Sequence, residues 1–217
     1  MGVVVFADND VILKLSEYNL LREACDALAV EPAQVVVLNT AQHYFTRMRD
    51  KATGDKAAHY SLEGLDRAIG FAESAHRVEE YPNLDWAVGL DDVDLGEAQL
   101  ATWAADTSDD CLLVSGDKRF IKALVLHKEG PASRVFRRIA GRVVCFEELV
   151  RVLIARIGFQ PVRAAVARCP GCDQSASIVF GSRFDLPVEQ VVDGLESIIR
   201  DVARDAGEGW LRRLQPS

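Results

Sequence analysis

Four short, continuous apolar runs dominate this sequence, and a helical pattern follows each of them. The strands that they predict occupy residues 3–7, 35–38, 111–115 and 142–146, the last of which begins with Arg142. Apolar runs without polar alternation are typical of strands that are buried on both faces, as in parallel sheets. Strands that alternate with helices predict an α/β fold, namely a doubly wound parallel sheet with flanking helices and right-handed crossovers.

Helical periodicity fills the stretches between these strands. The predicted helices cover residues 11–29, 40–49, 57–77, 95–105, 118–126 and 147–157. After a turn at 158–161 the pattern weakens, with a candidate strand at 177–180 and an amphipathic helix at 188–203. We therefore predict one domain over residues 1–158 and a small, mostly helical C-terminal extension over 159–217, to which the sequence assigns no role.

The N-terminus lacks the basic start and long apolar stretch of a secretory signal, because Asp8 and Asp10 cut its apolar run short. No run approaches the ~18 apolar residues that are needed to span a bilayer. These features predict a cytoplasmic protein with reduced thiols. Three of its cysteines lie in apolar stretches and are expected to be buried, namely Cys25, Cys111 and Cys145.

Cys169 and Cys172 have the spacing of half a zinc site, and a complete site needs two further ligands. The four histidines show no paired spacing that would supply them. A turn that carries two ordinary thiols is therefore favoured over a structural zinc site.

The formal net charge is -8, which is unusual for a protein that binds nucleic acid, but the charges are segregated. Residues 85–110 hold eight Asp or Glu and no Lys or Arg, whereas residues 118–168 hold twelve Lys or Arg against three Glu. An acidic pocket for cations beside a basic flank for phosphates suits a metal-dependent nuclease. The alternative is that two solvated faces happen to segregate.

Two carboxylates follow predicted strands, since Asp8 comes after the first strand and Asp117 after the third. Ligands of open parallel sheets bind outside the carboxyl ends of the strands. Glu97 lies at the start of a predicted helix and would join the other two if the three elements adjoin. Each acid also has a structural explanation as a helix cap, and Asp94 with Glu97 fits a capping box.

Three segments resemble, in order and spacing, the PIN-domain family of metal-dependent ribonucleases. They are residues 4–12 (VVFADNDVI), 95–101 (LGEAQLA) and 112–120 (LLVSGDKRF). The resemblance covers roughly residues 3–150. It implies that Asp8, Glu97 and Asp117 hold Mg²⁺ or Mn²⁺ in a PIN-like domain that hydrolyses phosphodiester bonds of single-stranded RNA. Asp10 is implied as a polar helper in catalysis.

The sequence departs from that family in two places. Residues 38–45 contain no carboxylate where many members have an acid, and Lys118 and Arg119 stand where a second Asp is common. Three nearby acids are candidates to compensate, namely Asp91, Asp92 and Asp94. One catalytic metal is therefore a safer prediction than a pair of metals about 4 Å apart.

The helix after Asp117 carries three cations that are candidates to bind substrate phosphates, namely Lys118, Arg119 and Lys122. Arg119 and Lys122 are three residues apart and share a helix face, although a solvated surface gives the same pattern. Tyr44 is a candidate to stack on a base of a single strand. The candidate protein partners are a second copy of the chain and an antitoxin-like protein, and no membrane contact is predicted.

Two other functions stay open. Asp8 and Asp10 also resemble the paired acids of haloacid-dehalogenase-type phosphatases, in which Asp8 would be the nucleophile, Asp10 the acid–base and Asp117 the Mg²⁺ ligand. That family usually has a further acid four or five residues later, where Ile121 and Lys122 stand. The thinned set of ligands also allows a catalytically weak or inactive PIN-like scaffold that binds RNA or a partner.

Overall fold

A five-stranded, all-parallel sheet forms the centre of the molecule in a computed structural model that describes residues 3–52, 60–78, 82–107 and 110–215. Its strands are β1 (Val4–Ala7), β2 (Val35–Leu38), β3 (His76–Val78), β4 (Cys111–Ser115) and β5 (Val143–Cys145). The prediction of an α/β fold with a parallel sheet is confirmed. The four strands that were predicted from apolar runs are β1, β2, β4 and β5.

Helices cover the sheet. They are α1 (Asn9–Tyr18), α2 (Leu21–Leu28), α3 (Ala41–Ala52), α4 (Leu62–Ser74), α5 (Leu95–Asp106), α6 (Lys118–Leu126), α7 (Ser133–Arg138), α8 (Phe146–Ile157), α9 (Phe159–Arg168), α10 (Gln174–Phe180) and α11 (Val188–Ala203). Right-handed crossovers would place α1–α4 on one face and α5–α7 on the other. The contacts of α4 with α1 and α3, and of α5 with α7, agree with this arrangement. Within the described residues no helix has the length and apolar composition to cross a bilayer.

The strand order is β3-β2-β1-β4-β5, so the direction of winding reverses between β1 and β4. The central strand β1 pairs with both neighbours, since Val5 lies opposite Val35 of β2 and Leu112 of β4. In doubly wound sheets the reversal opens a crevice at the carboxyl ends of the two strands, and ligands bind there. The residues that follow β1 and β4 are therefore the first place to look for a site.

The prediction of one helix over residues 11–29 is wrong, because α1 ends at Tyr18 and α2 begins at Leu21. Asn19 separates them with a φ of 56°, in the left-handed region. Its backbone N–H donates to the carbonyls at the end of α1, as in a common helix-ending motif. Asparagine enters this conformation more readily than most residues, so the apolar stripe continues across a real break in the backbone.

Strand β3 was not predicted. Residues 57–77 were expected to be one helix, but α4 is Leu62–Ser74, and residues 57–59 lie outside the described part of the chain. β3 is a three-residue edge strand that contains His76 and Arg77, so it presents no apolar run. The candidate strand at 177–180 is also wrong, because these residues belong to α10; a short apolar run does not distinguish a strand from a helix.

The C-terminal segment packs on the rest of the molecule. α11 contacts α8 and α6, and α9 contacts α1 and α8. Buried side chains of α9 and α11, including Val162 and Leu195, belong to the same hydrophobic cluster as the sheet. Further along, Leu211 forms a parallel bridge with Val143 of β5, and the N–H of Arg212 donates to the Val143 carbonyl (2.7 Å).

Of the five cysteines, Cys25, Cys111 and Cys145 are buried, as predicted. The prediction of two ordinary thiols at Cys169 and Cys172 is wrong, because a disulfide joins them. Their Cα atoms are 5.7 Å apart, a separation that a disulfide spans readily.

Candidate active site

A polar cleft of about 410 Å³ opens at the carboxyl ends of β1, β2 and β4, where the winding reverses. Five of the side chains that line it are acids, namely Asp8, Asp10, Asp94, Glu97 and Asp117. The structure therefore brings all four predicted catalytic residues to one cleft and adds Asp94. Asp91 and Asp92, which were also candidates, do not line it.

Asp8 directly follows the carboxyl end of β1, and its backbone N–H donates to the Val114 carbonyl of β4 (3.1 Å). It holds the N-cap position of α1, but its side chain makes no capping hydrogen bond. The N–H groups of Asn9 and Asp10 at the start of α1 give its carboxylate some electrostatic support, so the helix-cap explanation accounts for this acid only in part. The next residue, Asn9, also lines the cleft, and within the described chain its side-chain oxygen is buried without a hydrogen-bond partner.

Asp94 and Glu97 form the predicted capping box at the start of α5. The Glu97 N–H donates to Asp94 Oδ1 (2.7 Å), and the Asp94 N–H donates to Glu97 Oε2 (3.0 Å). The capping role fixes the orientation of Glu97, which is 7% exposed. Gly96 permits this arrangement, because a Cβ there would come within 2.7 Å of Leu38 Cδ1.

Asp117 also caps a helix, since it accepts hydrogen bonds from the N–H groups of Arg119 and Phe120 at the start of α6. The guanidinium of Arg119 lies 3.0 Å from Asp117 Oδ2. Burial alone would raise the pKa of the Asp117 carboxyl, but the side-chain and backbone hydrogen bonds of Arg119 together hold its pKa below the usual range. Asp117 is therefore an anion at neutral pH.

Asp8 and Glu97 behave in the opposite way. Burial, followed by the charges of Asp10 and Asp94, raises the pKa of Asp8 to about 7. The N–H groups of Asn9 and Asp10 offset only part of this rise. Burial also raises the pKa of Glu97 to about 8, and the neighbouring acids add to the rise. Both carboxyls thus lack the positive charge that would stabilise their ionised forms.

Asp10 differs from Asp8 because a positively charged side chain balances its negative charge. Lys14, one turn further along α1, lies 2.5 Å from Asp10 Oδ2 and 2.6 Å from Asp173 Oδ2. Asp173 belongs to the C-terminal segment and is 5% exposed. We call these three residues the Lys14 triad. A Cβ at Gly116, directly after β4, would meet Asp10 Oδ2 at 2.4 Å, so a side chain there would displace the Asp10 carboxylate.

The sequence did not reveal the role of Asp173. It lies far from Lys14 along the chain, in a segment to which no role was assigned, and only the packing of the C-terminal segment brings the two together. Lys14 carried a weak signal, since it is four residues after Asp10 on a predicted helix. Tyr60 was missed as well; it lines the cleft together with Tyr44, the predicted base-stacking residue.

The three predicted phosphate-binding cations are all engaged by acids. Lys118 Nζ lies 2.8 Å from the buried carboxylate of Glu147, and Arg119 pairs with Asp117. Lys122 does not reach the cleft, because it pairs with Asp201 of α11 at 2.7 Å in a separate surface depression. Of the three, the contact with Asp117 places only Arg119 beside the acids of the cleft.

The donor atoms fit a hydrated divalent cation. Carboxylate and amide oxygens are hard ligands, the type that Mg²⁺ and Mn²⁺ prefer. Within the described residues no three of the cleft's acids bring their oxygens within 4.8 Å of one another. Since Mg²⁺ usually binds one or two protein carboxylates and keeps several waters, this spacing suits a water-rich site better than a tight chelate of Asp8, Glu97 and Asp117.

Comparison with known proteins does not identify a relative. No protein-family model matches the chain, and neither a curated protein nor a solved structure matches it.

Proposed function

We propose that the protein is a divalent-metal-dependent nuclease with a PIN-like domain, and that it hydrolyses phosphodiester bonds of single-stranded RNA in this cleft. The observation that carries the proposal is the gathering of five acids at the reversal point of the sheet, two of them with raised pKa values. Uncompensated carboxylates in a polar cleft provide the charge that a divalent cation neutralises.

The acids have separate roles in this proposal. Asp8 and Asp117 hold Mg²⁺ or Mn²⁺, which supplies charge neutralisation and makes a bound water more acidic. Glu97, which its capping box holds in place, orients the attacking water and accepts its proton. Arg119, which forms an ion pair with Asp117, contacts the scissile phosphate of the RNA. Tyr44, 44% exposed at the cleft, offers a ring face to a base of an unpaired strand.

The phosphatase alternative requires Asp10 to exchange a proton during each turnover. Lys14 is buried and its Nζ lies 2.5 Å from Asp10 Oδ2, so this oxygen is already engaged in an ion pair. This contact weighs against an acid–base role for Asp10 and supports the nuclease over the phosphatase.

One observation favours a second candidate function, the catalytically weak scaffold. All three predicted phosphate-binding cations are paired with acids, and Lys122 lies outside the cleft. A surface that offers few free cations attracts a polyanion weakly. An inactive PIN-like protein that binds a partner would share this feature.

Cleavage of end-labelled single-stranded RNA with Mn²⁺ or Mg²⁺ tests the proposal. We expect cleavage by the wild type and a loss of roughly 100-fold or more in Asp8→Asn and Asp117→Asn. Asp201→Asn is the matched control, because Asp201 is an exposed, ion-paired acid outside the cleft. Asp10→Asn should keep part of the nuclease activity, whereas a phosphatase would lose all turnover of a phosphomonoester.

Absence of cleavage, or cleavage that persists unchanged in both cleft variants, would overturn the nuclease proposal. RNA binding without cleavage would then support the scaffold, and metal-dependent hydrolysis of a phosphomonoester would support the phosphatase.

A further inference from the structure

The Cys169–Cys172 disulfide lies directly beside the residue that completes the Lys14 triad. Asp173 follows Cys172 in the chain, and its carboxylate both pairs with Lys14 and accepts a hydrogen bond from the Ala176 N–H (2.7 Å) at the start of α10. The cross-link closes the turn that precedes α10 and so restricts the backbone positions open to Asp173. A covalent bond thus stands one residue from a buried ion pair that reaches the cleft.

The disulfide can be reached from solvent. Cys172 is 7% exposed, but Cys169 is more exposed and lines an open surface depression of about 370 Å³. Tyr60 lines both this depression and the cleft, so the two openings are neighbours. Cys169 is therefore the more accessible of the two cysteines to an attacking thiolate, which thiol–disulfide exchange requires.

We propose that Cys169–Cys172 is a regulatory thiol–disulfide site that controls the cation affinity of the cleft through Asp173 and Lys14. The proposal rests on the proposed metal-binding function of the cleft. In the oxidised protein the ion pair with Asp173 fixes the position of Lys14. The ion pair with Lys14 in turn fixes Asp10 at the cleft. Once the disulfide is opened, the turn relaxes, Asp173 loses its fixed position, and Lys14 and Asp10 become less ordered. Asp173 and Lys14 act as positioning residues.

The chemical step balances with a dithiol as the reductant. One thiolate of the dithiol attacks the Cys169 sulfur and breaks the S–S bond, and the Cys172 thiolate that leaves takes up a proton. The second thiol of the dithiol then attacks the mixed disulfide and releases Cys169 as a thiol. Two electrons and two protons pass to the protein, and the reductant ends as a disulfide.

Cation binding to the full-length protein tests the proposal without any nuclease assay. Mn²⁺ binding is measured by titration calorimetry on the oxidised protein, and then on protein reduced with dithiothreitol, which is removed before the titration. We expect reduction to weaken Mn²⁺ binding by roughly tenfold, because Asp10 lines the cleft beside the proposed ligand Asp8 and loses its fixed position together with Lys14. The variant Cys169→Ser/Cys172→Ser should match the reduced protein and should not respond to dithiothreitol.

Asp173→Asn identifies the path of the effect. It should weaken Mn²⁺ binding in the oxidised protein to the level of the reduced wild type, and reduction should then add little. Asp201→Asn is the matched control, because it breaks a different ion pair between the C-terminal segment and the sheet domain. Equal Mn²⁺ affinity in the oxidised and reduced wild type would overturn the proposal.

A second measurement keeps this proposal separate from the proposed function. If neither form binds Mn²⁺, the metal site is absent and the nuclease proposal fails with it. The coupling of the disulfide to the triad is then read from urea unfolding. We expect Asp173→Asn to lower the stability of the oxidised protein more than that of the reduced protein. Equal losses in the two forms would show that the disulfide does not act on Asp173, and would overturn the proposal.

Discussion

Two neighbouring groups of acids, at the cleft and beside it, differ in how their charge is balanced. Asp10 and Asp173 of the Lys14 triad have a buried ammonium between them at 2.5 and 2.6 Å. Asp8 and Glu97 line the same cleft as Asp10 but have other acids as their main charged neighbours, and their pKa values are raised. The first group is complete within the chain, whereas the second would be completed by a cation from solution.

The difference shows that acidity alone does not mark a cation site. Asp10 was a candidate because it follows Asp8 so closely, yet Lys14 already supplies its counter-charge. Asp8 stands out because its side chain makes no capping hydrogen bond at the start of α1. Within the described residues it also forms no ion pair with a Lys or Arg. The balance of charge around each carboxylate, rather than the number of carboxylates, separates a structural acid from a candidate ligand.

Removing the counter-charge of the triad should have the largest effect on stability. Lys14→Met leaves Asp10 and Asp173 facing each other without a cation, and loss of one partner from a buried ion pair costs about 3–5 kcal/mol. Urea unfolding at neutral pH measures the loss. Lys122→Met is the matched control, because its partner Asp201 is exposed, and its cost should stay below about 1 kcal/mol. Equal losses in the two variants would contradict the comparison.

Supplying a divalent cation to the cleft should have the next largest effect. Binding to the folded state alone stabilises it by about 2.7 kcal/mol when the free ligand is 100 times its dissociation constant. Thermal unfolding at about pH 8, with Mn²⁺ compared with NaCl of equal ionic strength, measures the shift. Asp8→Asn should remove most of the Mn²⁺-specific part. A shift that survives in Asp8→Asn would place the cation elsewhere.

The pH dependence of the metal-free protein should be smaller and should run opposite to acid denaturation. Asp8 and Glu97 have folded-state pKa values of about 7 and about 8, well above their ordinary values. The folded state therefore holds more protons than the unfolded state between about pH 4 and pH 8, and stability falls as the pH rises through this window. At full effect these pKa values correspond to about 4 kcal/mol for each group, and water and ions in the open cleft reduce this, so we expect a net loss of about 2 kcal/mol. Urea unfolding measured at several pH values should show a flatter profile for Asp8→Asn.

Crowding the triad without changing its charges should have the smallest effect. Gly116→Ala places a methyl group 2.4 Å from the present position of Asp10 Oδ2, so the carboxylate must shift, at a cost of about 1–2 kcal/mol. Gly70→Ala is the matched control; Gly70 lies within α4 with nothing within 4 Å of an added Cβ, so alanine there should stabilise by about 0.5–1 kcal/mol. Urea unfolding distinguishes the two signs.

The sequence predicted the parts of the molecule that depend on local patterns. Buried parallel strands appear as apolar runs, and the positions of Asp8 and Asp117 follow from where those runs end. The capping box of Asp94 and Glu97 was also visible, since its residues are three apart. Each of these features depends only on residues that are close together in the sequence.

Features that depend on distant contacts were not predictable. β3 has no apolar run because it is a short edge strand, and Asn19 interrupts an apolar stripe without altering its period. The pairing of Lys14 with Asp173 depends on how the C-terminal segment folds back on α1, for which no local pattern gives a signal. The pairing of two predicted phosphate-binding residues, Lys118 and Lys122, was unpredictable for the same reason. Their partners, Glu147 and Asp201, lie far from them along the chain.

The chain near residue 211 has a consequence for solubility. β5 is the last strand of the sheet, and an uncovered last strand exposes backbone groups that can pair with another molecule. Leu211 bridges to Val143, the Arg212 N–H donates to the Val143 carbonyl, and Trp210 stacks on Phe136 at a centroid distance of 4.9 Å. This tail thus shields the border of the sheet, and a protein cut after Gly209 would be prone to join others through β5 and aggregate.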